Sequence, residues 1–158
     1  MKVLGIDPGT SVTGYGVVEF GNGAPGFGRL IECGVIRFAK RSSLPRRLVE
    51  LHDGIVDLIE RHRPTALALE NAFYHKNVRT TLVLGHARGV VLLAAAQHRL
   101  DIAEYPPATV KKVVVGVGSA PKTQVAAMVA RLLHLKHAPR PADAADGVAV
   151  ALTHIMRA

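Results

Sequence analysis

Up to Ser42 the chain carries strand signals only. After Ser42 helical and strand signals alternate, and this change of pattern leaves few folds open. Lys2 to Ile6 is a short apolar run closed by the turn Asp7-Pro8-Gly9. Thr13 to Phe20 reads as a second strand, with Gly14 and Gly16 allowing another backbone to approach closely. The dense turn residues Gly21 to Gly26 make it a hairpin with a third strand, Arg29 to Ala39. Ser42 and Ser43 can cap a helix carrying Leu44, Leu48, Leu51, Ile55, Leu58 and Ile59, which stops before Pro64. Thr65 to Glu70 is a fourth, short buried strand. Val78 to Arg99 is a long helix, apolar nearly all round and therefore expected to be much buried. Asp101 to Tyr105 is a fifth strand, stopped by Pro106-Pro107. Thr109 to Val115 fits helix or strand. Ser119 and Pro121 open a helix to about Leu135, with Ser119 as its N-cap, and a last helix runs from Ala142 to Met156. The order β-β-β-α-β-α-β-α-α predicts a mixed sheet with helices on its faces. No repeat or linker divides the chain, so residues 1–158 are expected to form one domain.

Several classes are excluded at once. Cys33 is the single cysteine, so there is no intrachain disulfide framework and no multi-cysteine zinc site. Met1-Lys2 leads straight into the first strand, which is no signal peptide. The longest apolar stretch, Gly89 to Ala96, is too short to span a membrane. A reducing cytoplasm and no membrane partner are the expectation. The net charge of +8 is uneven: eight of the twelve carboxylates precede Arg79, whereas the 20 Lys and Arg divide equally at that point. A small basic protein fits a polyanionic partner, nucleic acid above all, although charge of this size also serves solubility. With no run of five like charges, any binding surface must be built by the fold.

The carboxylates are the chemistry-bearing groups. Asp7 ends the first strand and Glu70 the fourth, and ligands of open α/β sheets collect at carboxyl ends of strands. Taken singly, a turn-forming Asp or a capping Glu explains each as well. Asp143 and Asp146 stand three apart at the start of the last helix, on one face. Favourable charge in a first helical turn accounts for Asp143 but less well for Asp146. Four carboxylates without cysteine suit a hard cation, Mg²⁺ or Mn²⁺, rather than zinc. Such clusters fit two-metal phosphoryl transfer, one ion activating water and the other stabilising the leaving oxygen. An acidic pit on a basic surface is what a nuclease needs.

Two further segments carry signals. Gly116 to Thr123 nearly matches a P-loop, but Pro121 stands where glycine is required, so no nucleotide is cradled there. Lys122 on a first helical turn opposes the helix dipole, which points to an anion from outside. Phe73 to Arg79 mixes aromatic and basic residues, as in a loop that stacks on bases; an anchor packed on the core is the alternative.

Taken in order, these segments resemble the RuvC family of Holliday-junction resolvases. The resemblance is carried by Leu4-Gly5-Ile6-Asp7-Pro8-Gly9-Thr10, Thr13-Gly14-Tyr15-Gly16, Leu69-Glu70 with Phe73 and Lys76-Asn77, and Leu84-Gly85-His86-Ala87-Arg88-Gly89. It continues through Val110-Lys111, Val114-Val115-Gly116, Gly118-Ser119-Ala120 with Lys122, and Ala142-Asp143-Ala144-Ala145-Asp146. It implies an α/β, RNase H-like fold with a five-stranded mixed sheet and helices on both faces. It implies a homodimer that resolves four-way DNA junctions by paired nicks, in recombination and repair, using two Mg²⁺ ions per site with Mn²⁺ as substitute. Asp7, Glu70, Asp143 and Asp146 match the family's metal-binding catalytic carboxylates, and Lys111 and Lys122 its catalytic basic residues. Phe73 matches an aromatic acting on bases, and Lys76, Arg79, Arg88 and Lys112 are expected DNA contacts. A branch-migration motor, RuvA and RuvB, is the implied partner. One departure is Gly147, where an alanine-like residue is usual; it is expected to loosen the last helix beside Asp146. A non-catalytic nucleic-acid-binding protein on the same fold is the alternative, which four intact carboxylates argue against.

Overall fold

The computed structural model describes residues 1–21, 23–39, 41–71 and 76–158. Strands β1 (Lys2–Asp7), β2 (Val12–Glu19) and β3 (Arg29–Arg37) form an antiparallel meander. Strands β4 (Ala66–Glu70) and β5 (Asp101–Tyr105) continue the sheet parallel to β1, giving the order β3-β2-β1-β4-β5. One face is covered by α1 (Leu44–His62) and α2 (Val78–Gln97). The other is covered by α3 (Pro107–Val115), α4 (Lys122–Leu132) and α5 (Ala142–Arg157). The expected five-stranded mixed sheet between two helical layers is therefore present.

Strand alternation decides which groups meet. Leu4, Ile6, Leu67 and Leu69 pack with Leu51, Ile55 and Val91 on the α1–α2 side, while Val3, Ala66 and Ala68 pack with Val148 and Leu152 on the α5 side. That second face is lined with small residues, so α5 lies almost directly on the sheet backbone. A Cβ on Gly16 would stand 2.7 Å from Val148 Cα, and one on Gly147 would stand 2.5 Å from Tyr15 Cα. Gly147 thus marks the contact of α5 with β2 and is buried there, rather than loosening the helix as the sequence led us to expect. Period two then puts Asp7, two residues after Gly5, and Glu70, two after Ala68, on the α5 face. Since Ile6 pairs with Leu69, the next step along each strand brings Asp7 beside Glu70.

Other expectations are corrected. The ambiguous segment is helical: Pro107 sits in the first turn of α3, where its missing N–H costs nothing. Ser119 is not an N-cap, because α4 begins at Lys122 with Pro121 in the capping position and no side-chain cap. Ser43, not Ser42, caps α1 by accepting from the Arg46 N–H. β3 ends at Arg37 and α4 at Leu132, both short of the expected ends.

The largest difference is α2, which is not mostly buried. Ala87, Val91, Ala94 and Ala95 face inward, but Val78 is 73% exposed, Leu82 60% and Leu93 52%. Its 20 residues, with a mean hydropathy of 1.3 over an 18-residue window, are long and apolar enough to cross a bilayer by length and composition, contrary to the reading from Gly89 to Ala96. The helix nevertheless packs along α1 and β5, and Arg88 near its middle is ion-paired with Glu104.

Candidate active site

The acidic residues converge because three chain ends do. β1 and β4 run parallel and finish together, and the first turn of α5 crosses the same edge, where a Cβ on Gly14 would collide with the Asp143 carbonyl. One carboxylate oxygen from each of Asp7, Asp143 and Asp146 lies within 4.8 Å of the other two. Asp7 and Asp146 also line, together with Glu70, a cleft walled by Pro107, Val110, Lys111, Lys122, Val125 and Ala149. On its other side the Asp7–Glu70 pair opens into a groove with Pro8, Leu84 and Arg88.

Burial and mutual repulsion dominate the electrostatics. Asp7 is pushed up to about 8, first by loss of solvent and then by Glu70, Asp146 and Asp143, against the opposing pull of Lys122. Glu70 is pushed up to about 7 by burial and by Asp146, with Lys122 and Lys111 acting in the other direction. Asp146 is also raised, by burial, although it accepts a 3.1 Å hydrogen bond from Lys122 Nζ. That bond in turn raises Lys122. Lys122 thus already meets one anion within the protein, while its side chain remains 71% exposed.

This donor set fits hard divalent cations. Among the described residues it offers carboxylate oxygens only, close together, and it holds excess negative charge that protons relieve when no cation does. A stability consequence follows. The unfolded chain releases the Asp7 proton near 4, whereas the folded protein holds it to about 8, so rising pH penalises the metal-free fold across that interval. The melting temperature in chelator should fall between about pH 5 and about pH 8, and Mg²⁺ should raise it more at the upper end. A flat profile in chelator would reject the crowding. Glu32, held near 2 chiefly by Arg61, loses its contribution only below the usual carboxylate range and does not blur this window.

The remaining expected contacts are distributed as follows. Lys111 is half-buried on α3 and lines the cleft, and Lys112 beside it is exposed. Lys76 and Arg79 are exposed at the start of α2. Arg88 reaches the groove beside Glu70 but donates to Glu104 at 2.7 Å. Phe73 lies outside the described residues. Sequence reasoning missed the apolar wall of Pro107, Val110, Val125 and Ala149, of which only Val110 falls in the segment left open between helix and strand.

Residues 3–154 match the family model described as "Crossover junction endodeoxyribonuclease RuvC". The chain is 47% identical over 154 residues to the protein of that description from Pelotomaculum thermopropionicum, covering 98% of this chain and 92% of the relative. It superposes on Thermus thermophilus RuvC in complex with Holliday junction substrate with a TM-score of 0.90 at 36% identity, covering 99% of this chain and 94% of that one. The yeast mitochondrial Holliday junction resolvase Ydc2 shares the fold, with a TM-score of 0.69 at 15% identity over 98% of this chain and 77% of that one.

Proposed function

The chain belongs to the RuvC family of crossover junction endodeoxyribonucleases, and from that membership we propose that its acidic cleft resolves four-way DNA junctions by paired, symmetric nicks. The observation that carries the reading is the convergence of Asp7, Asp143 and Asp146, of which Asp7 and Asp146 line one cleft with Glu70, Lys111 and Lys122. Asp7, Glu70, Asp143 and Asp146 would hold two Mg²⁺ ions, or Mn²⁺ in their place. When bound, such ions supply the charge that activates water and stabilises the leaving oxygen.

The chain's own residues do the rest. The strand ends fix Asp7 and Glu70, and the small-residue contact between α5 and the sheet fixes Asp143 and Asp146, so the donors are set before any ligand arrives. Asp146 holds the Lys122 ammonium at the cleft mouth. Lys111 and Lys122 face the scissile phosphate and offset charge that develops on its oxygens. Lys122→Ala should therefore slow cleavage about 100-fold at saturating enzyme, far more than it weakens binding. Because it also strips Asp146 of its hydrogen bond, it should move the pH–rate profile upward. A loss of affinity that accounts for the whole lost rate would make Lys122 a backbone contact only.

The same reading makes the protein a homodimer, because two like-polarity strands must be cut, and the exposed apolar positions of α2 support a symmetric contact. It also takes residues 1–158 as one nuclease domain, active in recombination and repair in the cytoplasm. Phe73, Lys76, Arg79 and Lys112 are read as DNA contacts and RuvA and RuvB as the branch-migration partner. A labelled four-way junction incubated with and without Mg²⁺ or Mn²⁺ tests the central statement. Metal-dependent paired nicks are expected, and metal-dependent binding with no cutting would favour a binding protein on this fold.

A further inference from the structure

Between Glu32 and Glu50 the sequence has no carboxylate, yet it carries Arg37, Lys40, Arg41, Arg46 and Arg47. This basic segment lies away from α3 and α4, which hold the lysines assigned above. β3 runs parallel to β1, so its last residue, Arg37, lies at the sheet edge where Asp7 ends β1. The register is explicit: Asp7 pairs with Gly14, Gly14 with Val35, and Arg37 is the next residue after Val35 on the same face of the sheet. That is the α5 face, where the Asp143 carbonyl packs on Gly14. Two inter-strand spacings and two residues along the strand put Arg37 about 12 Å from Asp7, three to four base-pair steps of a duplex.

The chemistry points outward. Arg37 and Arg41 are exposed, and among the described residues neither has a carboxylate partner. Arg46 is 75% exposed and meets Glu50 only at 3.6 Å. Arg47 donates to the Thr10 carbonyl, which ties the start of α1 to the turn that follows Asp7. Two arginines in a first helical turn, with no acidic residue there, oppose the α1 dipole, an opposition that an external anion at this helix end would relieve.

We infer that Arg37, Arg41 and Arg46 form a phosphate rail that runs across the Asp7 end of the sheet, from the α5 face at the end of β3 to the first turn of α1, and seats one duplex arm of the junction on the side of the acidic cleft away from Lys111 and Lys122. The inference rests on the junction-cutting reading and adds the place where an arm lies. The rail is sequence-independent, because guanidinium groups meeting a backbone carry no base readout.

The test uses the full-length protein and a four-way junction in Ca²⁺, with affinity measured across salt concentrations. Each lost phosphate contact should lower the slope of log K against log salt by about 0.9, so Arg37→Gln/Arg41→Gln/Arg46→Gln should lower it by about 2 to 3. Affinity should drop roughly tenfold or more near physiological salt, while the single-turnover cutting rate at saturating enzyme stays within about twofold. Arg99→Gln/Arg131→Gln removes exposed charge at the opposite end of the sheet and should leave the slope within 0.9 or so of wild type for the pair. Unchanged slope in the triple variant, with unchanged melting temperature, overturns the rail. An equal drop in both variants reduces it to net charge and also overturns it. If the wild type neither binds nor cuts junctions, the underlying functional reading fails instead.

Discussion

Asp7→Asn should reduce junction cleavage by at least about a thousandfold while leaving junction affinity within about twofold. Asparagine keeps the volume and one oxygen of the side chain but removes the charge at the centre of the acidic cluster. Affinity survives because phosphate contacts, which carry most of it, lie on Lys and Arg side chains around the cleft. The same substitution should raise the melting temperature of the chelated protein near pH 8 by several degrees, because it removes the carboxylate whose ionisation burial and Glu70 oppose most strongly. It should also abolish most of the Mg²⁺-induced gain. Retention of metal-dependent cutting near the wild-type rate would remove Asp7 from the site. Lost cutting with a lowered melting temperature would mean structural damage. Glu70→Gln should act in the same direction with a smaller stability gain, in line with its smaller upward displacement, to about 7.

The second large effect should come from α2. Leu82→Glu/Leu93→Glu places charge at two positions that are 60% and 52% exposed, where the fold of a single chain should lose no more than about 0.5 kcal/mol each. If this face joins two copies, the double variant should sediment at 16.8 kDa and the wild type at twice that mass. A cruciform plasmid should then accumulate nicked circles instead of linear product, because the second cut no longer falls within one binding event. Two added charges opposite their own symmetry mates should cost several kcal/mol of association, enough to dissociate a micromolar dimer. A variant that stays dimeric and still linearises the plasmid would put the interface elsewhere, and a wild-type monomer on junction DNA would reject the homodimer.

Much of the fold was legible in the sequence because its signals are local. Strand and helix periods, the Gly21–Gly26 turn and Pro64 mark the elements, and the order of elements leaves a mixed sheet between helices. The carboxylates were legible for a related reason. An acid at the end of an apolar strand, or on an alanine-rich helix face, is costly unless something compensates it. Where local signals balanced, the sequence stayed open. Thr109 to Val115 has β-branched residues at spacings that suit either state, and only packing of Val110 and Val114 against the α5 layer resolved it as helix.

Other features depended on three-dimensional proximity alone. Gly147 reads as a weakness within a helix, yet it is the point where α5 meets the Tyr15 backbone. Lys122 reads as a charge seeking an external anion, yet Asp146, 24 residues away, supplies one. The apolar character of α2 reads as burial, but a helix touching α1 and the sheet on one side leaves Val78, Leu82 and Leu93 outside. Composition counts apolar residues without saying which neighbour covers them. The sequence by itself determined the element order and the residue types that can bind a hard cation. The tertiary structure alone decided that Asp7, Asp143 and Asp146 share one site, because their distances depend on sheet register and on how closely α5 can approach the glycines of β1 and β2.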